Sequence, residues 1–198
     1  MSKTAFEELS QQIQHYLQFD REDRKQQLVA VKQNGNSIQY IQDPDKEVQL
    51  AAVKEEGRSI RFVKFPDKEA QLEAIKQDGN SIRYIHNPDK EVQIAAVKQN
   101  GGYSIQFIHD PDKEVQIAAV RQNGWSIQFI HGPDKEVQLE AIKQCGESIR
   151  FIKFPDKDVQ MAAIEKSGYN IRVIAVCPNL SEISEEVYNC MVCKDIIE

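Results

Sequence analysis

The 198-residue sequence lacks an apolar run near the roughly 20 residues that a membrane-spanning helix needs, and its N-terminus lacks the apolar core of a signal peptide. Its four cysteines all lie in the last third, so they provide no disulfide framework for a small secreted fold. We therefore expect a cytoplasmic protein without a membrane partner. The formal net charge of −6 argues against uniform affinity for nucleic acid, although it leaves room for a local basic patch.

The sequence also lacks the residue patterns on which most active sites depend. It has no Gly-rich phosphate loop, and no histidine–carboxylate pair accompanies the serines that recur along the chain. Its acidic residues recur in columns, so no unlike pair stands out for acid–base chemistry. We expect no enzymatic activity, no cofactor and no small-molecule substrate.

Proline is scarce, and its placement reveals a repeat. The segments PDKEVQIAAVKQNG, from Pro88, and PDKEVQIAAVRQNG, from Pro111, differ at one residue of fourteen. The seven prolines are spaced by 22 or 23 residues, and a glycine follows each of the first six after thirteen residues. An earlier copy from Glu22 to Asp43 lacks the proline but keeps its glycine, Gly35. Residues 22–177 thus contain seven copies.

Each copy carries signals for two helices. Proline suits the first helical turn, and Asp43, Asn87 and Asp110 precede it as candidate N-caps. The glycine ends a helix of about 12 residues. The Ser-Ile-x-aromatic-Ile segment that follows is long enough for a short α- or 3₁₀-helix, with the serine at its expected N-cap.

The long helices are apolar around about 200°, so one copy cannot bury its own apolar surface. We predict an all-α fold in which seven repeats of about 22 residues stack into a right-handed α-solenoid. Residues 1–198 form one domain in this prediction, with capping helices over 1–21 and 178–198. A glutamine column within the apolar arc, including Gln93 and Gln116, is predicted to be largely buried and bonded to main chain.

The repeated pattern P-D-K-E-V-Q-x-A-A-V-x-x-x-G-x-S-I-x-[YF]-I carries two resemblances. It resembles the variant leucine-rich repeat, which stacks an α-helix and a 3₁₀-helix into a right-handed solenoid. It is more similar to an uncharacterised "EVxLAAVKQNG" tandem repeat of bacterial, phage and large-virus proteins. This chain has PDKEV where variant leucine-rich repeats usually have DPxPEV, and its period is shorter. The second resemblance implies a phage anti-defence inhibitor as one special case of a binding protein.

Two groups of residues raise the question of a metal site. His86, His109 and His131 share one column, but side chains one copy apart are separated by about 10 Å at the backbone, too far to share a zinc ion. Cys190 and Cys193 form a C-x-x-C that Cys177 precedes, without a fourth ligand nearby. We predict exposed imidazoles and no metal, while a thiolate site remains an alternative.

Charge is segregated within each copy. The long helices begin with two acidic columns and an interleaved lysine column, whereas the short helices and their exits carry cations and few acids. One interpretation is a solvated surface, and the other is a binding surface for an anionic partner. The basic candidates are Arg58, Arg61, Lys64, Arg83, His86, His109, His131, Arg150 and Lys153.

The residue after each repeat glycine varies, and in several copies it is aromatic: Tyr103, Trp125 and Tyr169. Aromatic residues and arginines contribute a large part of the binding energy at protein interfaces. Phe65 and Phe154, directly before proline, allow this interpretation and one alternative, packing against the next turn.

We therefore predict a non-enzymatic scaffold that binds a protein through its short helices and turns, as an adaptor or inhibitor. Trp125 is the strongest single candidate contact. The alternative is a nucleic acid whose phosphates lie along the basic stripe.

Overall fold

The computed structural model describes residues 23–167, and this part of the chain is helical without strands. An α-helix and a six-residue or five-residue 3₁₀-helix alternate along it. The α-helices are α1 (23–33), α2 (Lys46–Glu55), α3 (Lys68–Gln77), α4 (Lys90–Gln99), α5 (Lys113–Gln122), α6 (Lys135–Gln144) and α7 (Lys157–Lys166). The 3₁₀-helices are η1 (Gly35–Tyr40), η2 (Gly57–Phe62), η3 (Gly79–Tyr84), η4 (Tyr103–Phe107), η5 (Gly124–Phe129) and η6 (Gly146–Phe151).

The chain divides into two compact units between Asn87 and Pro88. In the first unit, α2 packs on α3 and η1 packs on η2. In the second unit, α4, α5, α6 and α7 pack in chain order, and η4, η5 and η6 do the same. Like elements of successive copies thus stack side by side, which is the α-solenoid arrangement. The prediction of a single domain over 1–198 stays a prediction, and the predicted capping helices, 1–21 and 178–198, lie outside the described residues.

The core of each copy is a layer of small and β-branched side chains. Val115, Ala119 and Val120 of α5 are fully buried, and Ile127 of η5 is 1% exposed. The small alanine lets neighbouring helices approach closely, while valine and isoleucine fill the layer between them. Because the same side chains recur in each copy, successive copies within each unit pack in the same way.

The α-helices begin two residues later than the sequence predicts and are ten residues long from α2 onward. The aspartate after each proline is the N-cap: Asp134, for example, accepts a hydrogen bond from the Val137 backbone N–H at 3.0 Å. Prediction of Asp43, Asn87 and Asp110 as N-caps was wrong, since these residues turn the chain with positive φ angles of 48°, 49° and 49°. Proline therefore precedes the cap instead of opening the helix.

The serine column was also misassigned as the N-cap of the short helices. Ser126 lies inside η5 and is fully buried, whereas Asn123 caps η5 by accepting the Trp125 backbone N–H at 3.0 Å. The short helix begins at the glycine, so the residue before the glycine occupies the cap position.

The glutamine column forms the hydrogen bonds that the sequence predicts. Gln116 Nε2 donates to the Pro111 carbonyl at 2.8 Å, and the corresponding bond recurs in the other copies from Gln49 to Gln160. Gln49 and Gln160 are buried, and the residues between them are half-buried. In the first copy, which lacks the proline, Gln27 bonds to the Asp23 carboxylate instead.

Candidate functional site

The acidic columns of the α-helices are paired with cations of the preceding copy. In the second unit, the Lys113 ammonium lies 3.0 Å from the Asp134 carboxylate and also contacts Glu136. Lys90 and Lys135 make the equivalent pairs with Asp112 and Asp156, at 3.3 and 3.2 Å. The first unit has Lys46 against Asp67 at 2.7 Å and Arg24 between Asp45 and Glu47. We call these contacts the lysine ladder, and they neutralise much of the acidic surface.

The ladder shifts the protonation equilibria of its members. The backbone N–H of Val137, and then the Lys113 ammonium, hold the pKa of Asp134 below its ordinary value. The equivalent contacts lower the pKa of Asp112 and Asp156. The pKa of Lys113 is raised, first by its bond to Glu136 and next by its bond to Asp134. Both shifts favour the charged forms in the folded protein.

Because the pKa of Asp134 is lowered on folding, its contribution to stability is present above its ordinary pKa and is lost as pH falls through the folded value. We expect the free energy of unfolding to fall below about pH 4. Asp134→Asn keeps an N-cap but removes the charge, so its acid-dependent loss should be smaller. Urea unfolding of both proteins at pH 7, 4 and 3 measures this difference. Identical pH dependence would contradict a role for the charge.

The predicted basic residues lie in the other part of each copy, which is its short helix and the linker after it. We define the short-helix side as the short helices with the linkers that follow them: residues 35–43, 57–65, 79–87, 102–110, 124–132 and 146–154. Arg58, Arg61, Lys64, Arg83, His86, His109, His131, Arg150 and Lys153 all lie there and are exposed. Arg58 is 3.7 Å from the Asp78 carboxylate, and Arg83 Nε donates to the Asn80 carbonyl at 3.1 Å.

Several of these cations lie against aromatic rings. The Arg61 guanidinium is 4.5 Å from the centroid of the Phe62 ring, and Arg83 is 6.0 Å from that of Tyr84. The short-helix side therefore presents cationic and aromatic groups together, with the cation on one face of the ring.

The two described aromatic candidates both connect successive copies. Trp125 packs on Phe151 of the next copy, with ring centroids 5.5 Å apart, and its Nε1 donates to Cys145 Sγ at 3.1 Å. Tyr103 contacts Phe129 edge-on at 6.2 Å. Trp125 remains 37% exposed and Tyr103 39%. Each ring thus packs on its neighbour and still presents part of its surface to solvent. Tyr169 lies outside the described residues.

The three histidines of the column all lie in the described part of the chain. Within residues 23–167, no group of three histidine, cysteine or acidic residues has an arrangement suited to a metal ion. His109 and His131 instead line one open cleft of about 440 Å³, together with Phe129 and Gln116. Their imidazoles are exposed, as predicted. Cys177, Cys190 and Cys193 lie outside the described part, so the thiolate alternative is untested.

Three further rings are largely exposed. Tyr40 is 84% exposed, Phe154 80% and Phe65 79%. The sequence pointed to the two phenylalanines, which occupy a position where other copies have aspartate, asparagine, glycine or cysteine, but it did not single out Tyr40. In the part of the chain described, no helix is long and apolar enough to cross a membrane.

Comparison with known proteins supports the repeat. The model of a domain of unknown function, DUF4116, matches three overlapping stretches of the chain, residues 67–111, 89–133 and 112–154. No curated protein and no solved structure matches the chain significantly. Successive matches begin 22 or 23 residues apart, which is the period of the proline column. The chain is therefore a tandem-repeat protein whose central copies are similar to this domain, and its kinship with the variant leucine-rich repeat stays a prediction.

Proposed function

We propose that this protein is a non-enzymatic, cytoplasmic scaffold that binds a partner protein through its short-helix side, as an adaptor or an inhibitor. The observation that carries the proposal is the distribution of exposed apolar side chains. Seven of the eight large hydrophobic residues that are exposed among residues 23–167 lie on the short-helix side or its turns; the exception is Val29 in α1. These seven are Tyr40, Phe65, Tyr84, Tyr103, Trp125, Phe151 and Phe154.

Exposed aromatic surface that is concentrated in the same part of successive copies is typical of an interaction site. Such rings contribute binding energy when a partner covers them, especially beside arginine. The repetition of like groups suits a partner that makes many similar contacts. Catalysis, by contrast, uses a few unlike groups held in one place.

Charge indicates the character of the partner surface. The lysine ladder engages the acidic columns within the protein itself. Lys64 and Lys153 lie beside phenylalanine rings, 5.3 Å from each centroid. A partner with carboxylates at its interface would complement these cations.

Nucleic acid is the second candidate, because Arg61, Lys64, Arg83 and His86 follow one another on the short-helix side of two successive copies. Contacts to about six phosphates would weaken binding by a factor of thousands between about 50 and 200 mM salt. A protein interface built on aromatic rings would depend less on salt. Electrophoretic retardation of DNA and RNA across this range separates the two candidates.

The experiment that tests the proposal is capture of the partner from native lysate by the tagged protein and by its Tyr103→Ala/Trp125→Ala variant. We expect the double variant to bind the captured protein at least about tenfold more weakly, because the substitutions remove two partly exposed rings from the interface. Val29→Ala removes an exposed apolar side chain from α1 and serves as the matched control. Equal affinity of all three proteins for the captured partner would place the interface elsewhere.

A further inference from the structure

Two copies carry eight-residue segments that differ at one position, and the other described copies have no such segment. Residues 61–68 read RFVKFPDK, and residues 150–157 read RFIKFPDK, with only Val63 and Ile152 differing. The first segment lies in the first unit and the second in the second unit. We call them the KFP segments.

At the residue before proline, the backbone conformation of the KFP segments differs from that of the other linkers described. In four other copies this residue has positive φ: Asp43 at 48°, Asn87 and Asp110 at 49°, and Gly132 at 59°. A phenylalanine strongly disfavours that region, and neither Phe65 nor Phe154 adopts it. The linkers have equal length, so the phenylalanine itself selects the different conformation.

The two phenylalanines have the same environment. Phe65 is 79% exposed and Phe154 is 80% exposed. In each segment the preceding lysine places its ammonium 5.3 Å from the ring centroid. A side chain that only filled space in a turn would be covered by neighbouring residues. These two rings are instead exposed to solvent, with a cation on one face.

The acidic residues that follow next in the sequence already have partners. The Asp67 carboxylate binds Lys46 at 2.7 Å and accepts the Glu69 backbone N–H, and Asp156 binds Lys135 at 3.2 Å and accepts the Val159 backbone N–H. Within residues 23–167, neither Lys64 nor Lys153 has a carboxylate within ion-pair distance. Each KFP segment therefore presents an exposed ring beside an ammonium that no carboxylate of residues 23–167 pairs with.

We infer that the two KFP segments are equivalent docking sites for one kind of ligand: an acidic peptide segment in which an apolar side chain is flanked by aspartate or glutamate. The apolar side chain would cover the phenylalanine, and a carboxylate would pair with the lysine. This inference rests on the proposed function and defines its partner.

Charge and spacing favour a peptide over nucleic acid. A nucleic acid presents a phosphate at every nucleotide and is bound by cations that recur along its length. The exposed ring with its lysine occurs in only two of the six linkers described. Two discrete and matching sites suit two discrete and matching ligand segments.

The test begins with selection of a random 12-residue peptide library on the wild-type protein, followed by calorimetry with the strongest selected peptide. We expect selected peptides rich in Asp and Glu around an apolar residue, and two peptides bound per chain. Phe65→Ala and Phe154→Ala should each leave one site, and the double variant should lose binding at least tenfold. Val29→Ala, which removes an exposed apolar side chain of α1 outside the short-helix side, should leave both sites intact.

Several results would overturn the inference. These are selected peptides without acidic residues, binding that the double phenylalanine variant retains, or a preference for single-stranded oligonucleotides or anionic lipid vesicles that the same variant abolishes. Failure here is distinguishable from failure of the proposed function. If the double phenylalanine variant still captures the lysate partner and the Tyr103→Ala/Trp125→Ala variant does not, only the docking inference fails.

Discussion

Replacing Gly124 by alanine is expected to lower the free energy of unfolding by about 3 kcal/mol, near the upper end for overpacking in a tight interior. A Cβ atom at Gly124 would lie 2.5 Å from the Ala141 carbonyl oxygen, 2.8 Å from Ser148 Oγ and 3.2 Å from the Cys145 backbone nitrogen. The nearest of these atoms is backbone of the next copy, so no side-chain rotation relieves the clash. The two copies must move apart, which weakens the packing between them.

Gly132→Asn is the matched control for this substitution. Gly132 has a φ of 59°, and a Cβ there would meet no atom within 4 Å. Asn87 and Asp110 already occupy the equivalent position with φ angles of 49°. Asparagine should therefore change stability by less than about 0.5 kcal/mol. Chemical denaturation followed by circular dichroism measures both variants, and equal losses would contradict the close contact between copies.

The second large effect is expected at Ile127, where substitution by alanine should cost about 2–5 kcal/mol. The side chain is 1% exposed, and η5 packs against α5, α6, η4 and η6. The cavity left by alanine would therefore open among four elements of three copies. Because the neighbouring backbones are held by their own copies, the cavity should collapse only partly.

Ile127→Val tests the same position with one methylene fewer and should cost about 0.5–1.5 kcal/mol. Denaturation midpoints of the three proteins should fall in the order of the side-chain volume retained. A loss below about 1 kcal/mol for Ile127→Ala would mean that the short helices contribute little to the core. The stacking of short helices would then not stabilise the protein.

The repeat made the fold predictable, because proline, glycine and the apolar columns recur with one period. The N-cap was assigned to the wrong residue because two patterns compete there. Asp110 before proline and Asp112 after it are both capping residues, and the sequence alone favoured the first. The structure uses the second, whose carboxylate accepts the Val115 backbone N–H at 3.0 Å. Capping depends on backbone geometry that composition does not specify.

The candidate site was predictable in composition but less so in geometry. The sequence itself indicated the cations and aromatic residues of the short-helix side, because they recur in columns. It did not reveal that Lys113 reaches Asp134 and Glu136 of the next copy, because this contact depends on the offset between stacked copies. It also did not distinguish the packed Trp125 ring from the exposed Phe154 ring. That difference depends on whether the next copy places a ring alongside, as Phe151 does for Trp125.

Hydrogen–deuterium exchange of the free protein and of the purified complex with its captured partner tests whether the short-helix side is the interface. We expect the partner to slow amide exchange in the short helices and linkers, including 124–132 and 146–154, while the exposed first turns of the α-helices exchange as before. Protection confined to those first turns, with no change on the short-helix side, would contradict it.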